Sequence, residues 1–311
     1  MMPQELIYDT LIIGGGIAGL QAAIQLGRSL HKVIVVDHGK GRSTIAKKYR
    51  NILGYPQGIS GESLRSNGEE QARELGVVFM YGEVTALSQK ADHAFVAEVM
   101  HGSGNEAVVA RTVLVASGIK DPFPTIPGLT QCLGESLFIC PDCDGYEIIG
   151  KHALVIGSGK YALEMADTLQ YFTNRLTVIN HTLTPSEAEP FTTTDGQIRV
   201  IDEPISEIFH KDGQMQAVQL VSGERISVEK GFLAFPGAKV QSTLLEKFQV
   251  DRLENGHVLV NPRTKETSYR NIWAAGDIVA HSQQVTISMG DGSQAAIWIH
   301  KRLLEKENEC T

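Results

Sequence analysis

Leu11-Ile12-Ile13-Gly14-Gly15-Gly16-Ile17-Ala18-Gly19-Leu20 is the stretch whose reading decides the fold. Leu11-Ile12-Ile13, entered through Tyr8-Asp9-Thr10, reads as a buried parallel strand, because such strands are covered on both faces. Gly14, Gly16 and Gly19 then follow a G-x-G-x-x-G spacing. In such a unit the first glycine makes the tight turn. The second lets backbone approach a pyrophosphate, and the third lets helix pack on strand. The Ala-, Leu- and Gln-rich run from Leu20 to Leu30 predicts a helix, and Val33-Ile34-Val35-Val36 predicts a second strand ending at Asp37. Free N–H groups and the dipole at the helix N-terminus favour a phosphate there, and Asp37 is placed for a ribose diol. Gly14, Gly15, Gly16, Ile17, Ala18, Gly19 and Asp37 therefore form a candidate dinucleotide site.

The same pattern returns. Ala153-Leu154-Val155-Ile156 predicts a strand, Gly157-Ser158-Gly159-Lys160-Tyr161-Ala162 a turn, Leu163 to Tyr171 a helix, and Leu176-Thr177-Val178-Ile179 a strand. Between the repeats, Val113-Leu114-Val115-Ala116-Ser117-Gly118 looks like a strand leaving the first unit, and Pro122, Pro124 and Pro127 mark a linker. A return is expected near Phe235-Pro236-Gly237, and Ile272-Trp273-Ala274-Ala275-Gly276-Asp277 closes back onto the first unit. The expected fold class is α/β, with two Rossmann-like domains of the three-layer ββα type, the second inserted into the first. The expected boundaries are residues 1–117 plus 241–311 for the discontinuous first domain and 118–240 for the inserted one.

Composition narrows the function. The chain has 311 residues, long enough for two cores. A net charge of −8 lacks the basic stripe of a nucleic-acid binder. No apolar run is long enough to span a bilayer, and no secretory leader precedes the first strand, so a cytoplasmic location is expected.

Cys140-Pro141-Asp142-Cys143 lies directly before the second glycine turn. Two cysteines at this spacing close a small, easily reduced ring, and one thiol of such a pair has a lowered pKa. A zinc reading would need two more ligands. No second CxxC exists, and Cys132 and Cys310 are not at ligand spacing, so no metal is expected. Asp144 beside the pair is a candidate proton donor and acceptor, or a turn acid. Cys132 reads as a small buried residue and Cys310 as a free thiol on the tail.

With these motifs in order, the chain resembles the low-molecular-weight thioredoxin reductases over nearly its whole length. The likeness rests on Gly14-Gly15-Gly16-Ile17-Ala18-Gly19, Ala116-Ser117-Gly118, Cys140-Pro141-Asp142-Cys143-Asp144-Gly145 and Ala275-Gly276-Asp277. It implies FAD in the first domain, a homodimer, and a thioredoxin-like or other dithiol protein as partner. By position, it implies that Arg42, Ser43, Asn51, Val84, Ala116, Gly118, Gly276, Asp277, Gln284 and Val285 join the flavin site. It also implies that Cys143 faces the flavin while Cys140 exchanges with the partner, with Asp144 serving them as the acid and base.

Three departures shape the expectation. Asn180-His181-Thr182 stands where the family carries the His-Arg-Arg segment that grips the NADPH 2′-phosphate. Losing two charged hydrogen bonds costs roughly 3–6 kcal/mol, or about 10²–10⁴ in affinity. Arg42-Ser43 replaces a Gln-Leu pair, and Gln283 stands where an Arg is usual. NADPH is therefore not expected to bind. The chain most resembles the diflavin-linked disulfide oxidoreductase of cyanobacteria, which leaves a second FAD open. A ferredoxin-dependent or NAD(P)H-dependent thioredoxin reductase is the alternative enzyme, and a flavin-binding redox sensor the alternative outside catalysis. Tyr161 is expected to fill core, block a nucleotide or stack on one. His281 and His300 read as surface or capped histidines, Trp298 and Ile297 as core or dimer contacts rather than a flavin platform, and Lys47-Lys48 with Arg50 as a solvated face or a contact for a phosphate of a second nucleotide.

Overall fold

The computed structural model describes residues 6–102, 104–181 and 198–309. They form two compact units. The first comprises the chain up to Thr44, Ile59–Lys120 and the chain from Lys239 onward; the second comprises Ile45–Gly58 and Asp121–Ala238.

The strands of the first unit lie in the order Val78–Tyr81, Val33–Asp37, Ile7–Ile13, Gly104–Val115, Phe95–His101, Glu83–Gln89, with Ile272–Ala274 also on Gly104–Val115. Gly104–Val115 serves two neighbours. Its first half pairs antiparallel with Phe95–His101, and its second half runs parallel to Ile7–Ile13. Helix Ile17–Arg28 turns Ala18, Leu20, Ala22, Ala23 and Leu26 inward, and each is buried. It begins three residues earlier than the sequence predicts and ends before Leu30. Leu30 has φ 62° and is 92% exposed, so the chain has already turned out of the helix there.

In the second unit, Arg199–Ile201, Leu176–Asn180, Ala153–Gly157, Lys230–Ala234 and Leu137–Phe138 form a parallel sheet in that order. A separate antiparallel sheet is built from Ile205–Lys211, Gln214–Leu220 and Arg225–Ser227. Helix Gly159–Leu169 starts inside the predicted turn and stops before Tyr171, which is 88% exposed. Ile45–Gly58, which the sequence assigns to the first domain, groups with this unit. Lys47 N–H donates to the Gly134 carbonyl at 3.1 Å, and a Cβ on Gly134 would stand 1.9 Å from the Ile45 carbonyl oxygen. Backbone against backbone at that distance admits only glycine.

Glycine also lets backbone approach backbone in the first unit. A Cβ on Gly19 would lie 1.9 Å from the Gly14 oxygen, and one on Gly292 would lie 2.2 Å from the Ala18 oxygen. Overpacking of this kind costs about 1–3 kcal/mol or more. Gly19→Ala should therefore lower the urea unfolding midpoint by at least that equivalent. Gly102→Ala, where no atom lies within 4 Å, should leave the midpoint nearly unchanged.

Candidate functional site

In the first unit Gly14 has φ 106°, and a Cβ there would lie 2.4 Å from the Ala116 oxygen. Gly16 has nothing within 4 Å of its Cβ position. It is the N-cap of helix Ile17–Arg28 and makes no side-chain cap bond. The free N–H groups of that first turn, at Ile17 and Ala18, face an open approach suited to a phosphate. Asp37 accepts from Gly15 N at 2.9 Å on one oxygen. On the other it accepts from Gly39 N at 2.9 Å and Arg65 at 2.6 Å. Three donors occupy three of about four lone-pair sites, leaving one acceptor position for a ribose hydroxyl. The turn and the acid fit a dinucleotide. Arg65 escaped sequence reading, since nothing in the spacing of helix Gly61–Glu74 points to Asp37.

Arg42 and Asp277 meet at 3.3 Å, and Arg42 also donates to the Gln283 side-chain oxygen. Ser288 donates to the second Asp277 oxygen at 3.4 Å. These bonds join a turn after the second strand to the Gly276–Ile278 turn and to helix Val285–Glu309, bringing Arg42, Asp277 and the Gln284-Val285 junction into one neighbourhood. Ser43 shares the short turn Arg42–Thr44. Gly276 and Gly118 have φ 77° and 70°, backbone suited to glycine. Ala116 and Val84 are both buried, in the two core clusters of the first unit. Asn51 is exposed in Ile45–Gly58, within the other unit.

The second unit carries the disulfide. Cys140 and Cys143 are bonded, with Cα atoms 5.3 Å apart. Cys140 caps the short helix Pro141–Asp144, its sulfur accepting from Cys143 N at 3.1 Å. Pro141 sits at the first helical position, where its fixed φ suits helix and its missing N–H costs nothing. One helical turn thus places both sulfurs on the same side. Asp144 follows, its amide bonded to the Cys140 carbonyl at 3.1 Å. Burial first, and Glu147 second, push the Asp144 carboxyl up to about 7, against the pull of Arg50 and Lys230. Arg50 is exposed, its side chain 48% accessible, and on that face it is tied to Glu147 at 3.2 Å. Lys230, lowered mainly by burial, donates to the Glu135 carbonyl at 2.9 Å. Arg50 and Lys230 come from distant segments that no sequence pattern links to Asp144, whereas Glu147 lies just after it in the same stretch. Gly145 is forced by Phe172, whose ring lies 2.4 Å from where a Cβ would be.

The second glycine turn has turned its polar groups inward. Asn180 is buried, accepts from Gly159 N at 3.3 Å and donates to Asp202 at 2.7 Å. His181 N bonds the Gly157 carbonyl at 2.7 Å, and its Nδ1 accepts from Ile205 N at 3.1 Å. A ring nitrogen that accepts carries no proton, so the ring is neutral, and burial lowers its pKa. Thr182 lies outside the described residues, as does Cys310. Tyr161 is 42% exposed rather than core filler, with the Lys160 ammonium 5.5 Å from its ring. It lines a cavity of about 330 Å³ with Phe123, Ile139, Pro141, Met165 and Phe235.

Cys132 is a free, fully buried thiol. Trp298 is half-buried between Arg263 and Lys301, and Ile297 is exposed. His300 bonds His31 at 2.8 Å. Among the described residues no three His, Cys, Asp or Glu gather to hold a metal, and no helix is long and apolar enough to cross a membrane.

The profile of the pyridine nucleotide-disulphide oxidoreductase family matches residues 8–292. A thioredoxin reductase of Bacillus subtilis is 28% identical over 311 residues, covering 95% of this chain and 94% of its own. The crystal structure of HlmI superposes with a TM-score of 0.83 at 26% identity, covering 99% of this chain and 97% of its own. The thioredoxin reductase from Streptococcus pyogenes gives a TM-score of 0.82 at 25% identity, covering 97% and 100%.

A carboxyl raised in the folded protein stays protonated there at pH values where the unfolded chain has lost the proton. Its contribution to stability is present below its unfolded pKa, near 4, and is lost as pH rises toward 7. Asp144→Asn should accordingly flatten the pH dependence of unfolding. At pH 8 it should be more stable than wild type by about 2 kcal/mol, allowing for partial solvation. Thermal melts of both proteins at pH 5 and pH 8 check this.

Proposed function

The chain belongs to the pyridine nucleotide-disulphide oxidoreductase family, and from that premise we propose that it exchanges electrons between the Cys140–Cys143 disulfide and FAD without using NADPH. It is an oxidoreductase acting on a sulfur group. The observation that carries the chemistry is the disulfide capped onto its own helical turn, with a buried carboxyl titrating near 7 at its C-terminal side. FAD, held in this reading by Gly14–Gly19, Asp37 and the Arg42–Asp277 neighbourhood, supplies a two-electron reservoir.

Cys140, the N-cap, is the proposed attacking sulfur. Its thiolate would displace one sulfur of a partner disulfide, and Cys143 would then close the ring and release the partner's dithiol. Asp144 would hold the proton that one thiol gives up and return it on the reverse step. Its value near 7 suits that exchange, because a group poised at working pH gives and takes protons with similar ease. A thioredoxin-like protein is the proposed partner, since similar chains of B. subtilis and S. pyogenes carry that name. A cytoplasmic homodimer completes the proposal.

Independence from NADPH rests on the second turn. His181 is neutral and bonded to Ile205 N, so it offers no cation to a 2′-phosphate. Asp202, bonded through Asn180 at the same sheet end, adds negative charge where a phosphate would need positive. The family and its thioredoxin reductases favour the competing reading, a nicotinamide-dependent enzyme. A second FAD is supported by the aromatic lining of the cavity beside Pro141, where a planar ring could stack.

Gly16→Val should fold within about 1 kcal/mol of wild type, having open space for its side chain, yet purify without yellow colour. NADPH and NADH should bleach the flavin at least about 100-fold more slowly than a reduced dithiol partner does in anaerobic stopped-flow; rapid bleaching by micromolar NADPH would establish the nicotinamide-dependent reading. A flavin-to-polypeptide ratio near one removes the second FAD. Cys140→Ser and Cys143→Ser should each lower dithiol–flavin turnover by more than about 10³-fold while keeping FAD. Only Cys143→Ser should trap a mixed disulfide with the partner. Flavin reduction without turnover on any dithiol would instead leave the sensor reading.

A further inference from the structure

His281 was expected to be an ordinary surface or capped histidine, and its surroundings are not ordinary. Its Nε2 lies 2.5 Å from the Asp291 carboxylate and its Nδ1 lies 2.8 Å from the Ser282 carbonyl. Neither partner carries a hydrogen, so both ring nitrogens must donate, and the ring is an imidazolium. The Asp291 hydrogen bond is the foremost cause raising its pKa.

Asp291 is almost fully buried, with a side chain 5% exposed. Its other oxygen pairs with the Lys265 ammonium at 2.7 Å, and the oxygen facing His281 also accepts from Gly276 N at 3.1 Å. Lys265 has φ 61°, a left-handed backbone that side-chain-bearing residues seldom adopt. The loop thus holds an unfavourable conformation while its ammonium faces a buried carboxylate. Two cations and one anion leave one net positive charge behind the Gly276–Ile278 turn. Beside the cluster, Glu266, the neighbour of Lys265, is matched by Arg302 at 2.9 Å. His257 accepts from the Gln283 amide at 3.2 Å, so that ring nitrogen carries no proton, and burial, the largest cause, lowers its pKa. Asp277 is matched by Arg42.

We propose that His281 is a positioning residue for the flavin: through Asp291 it fixes the Gly276–Asp277 turn, and with Lys265 it supplies a positive charge that favours the reduced, anionic cofactor. This rests on the reading that FAD occupies the first unit. The electron balance shows why charge matters there. Opening to its dithiol form, the Cys140–Cys143 pair holds two electrons and two protons. When it closes again, both electrons and one proton would pass to bound FAD, which would then carry one negative charge, and the other proton would go to Asp144 or solvent. A nearby positive charge stabilises that product and raises the flavin's potential.

The test is a reductive titration of the full-length, FAD-loaded protein against a dye of known potential, for wild type, His281→Gln, His281→Lys and Lys265→Met. At a fixed potential, His281→Gln and Lys265→Met should each shift the reduced-to-oxidised ratio about tenfold toward oxidised, near 30 mV for a two-electron couple. His281→Lys should restore the ratio to within about twofold. Across pH, wild type should show an extra downward break in potential where the imidazolium loses its proton, and His281→Gln should lack it. A ratio unmoved in both neutral variants, or no break in wild type, overturns the proposal. The wild-type break keeps it testable even if a variant fails to fold. FAD content of the same samples separates the failures. Wild type without FAD overturns the functional reading and this proposal with it, whereas full FAD with an unmoved ratio overturns this proposal alone.

Discussion

Backbone touching backbone without a Cβ between them is the constraint on which the first unit depends. Gly19 against Gly14, Gly14 against Ala116 and Gly292 against Ala18 are all closer than any side chain allows. Together they lock the first strand, its helix, the strand Gly104–Val115 and the final helix into one geometry. That geometry leaves the space over Gly16 open. A cradle of this kind is the by-product of tight packing on one side of a turn and none on the other, and it needs no polar side chain to attract a phosphate.

The second unit repeats the turn and directs it inward. Asn180 spends its amide on Gly159 and Asp202, and His181 spends its ring nitrogen on Ile205. Donors and acceptors satisfied within the protein are not available to a ligand without breaking bonds of comparable strength. Two units of similar architecture can thus differ in what they bind through the side chains at one strand end. The second unit's distinguishing chemistry lies instead at Cys140–Cys143. There a proline-led turn aligns two sulfurs, and a carboxyl squeezed by burial and by Glu147 keeps its proton to about pH 7.

Charge in both units is arranged by contact and burial more than by number. The chain carries a net charge of −8, yet the Lys265–Asp291–His281 cluster is locally positive. A charge in low dielectric acts over several ångströms with little screening. The same principle runs in reverse at Asp144, where burial and Glu147 outweigh the pull of Arg50 and Lys230 and the acid keeps its proton. Overall composition bears on partners such as nucleic acid, whereas these local fields bear on redox chemistry.

The sequence by itself determined the fold class, the two glycine turns and the close-set cysteine pair. Those features are local: a strand's apolar run, a glycine spacing and a CxxC each lie within a few residues, where periodicity and covalent geometry speak directly. Helix ends were read less well, because Leu30 and Tyr171 continue an apolar pattern that the chain exposes. Tertiary structure alone decided which polar groups meet. Arg65 on Asp37, Arg50 and Lys230 around Asp144, Asp202 on Asn180, and Asp291 between Lys265 and His281 join residues from different segments of the chain. No propensity or spacing encodes such meetings. They arise when packed sheets and helices carry side chains to a shared place and exclude the water that would otherwise have solvated them.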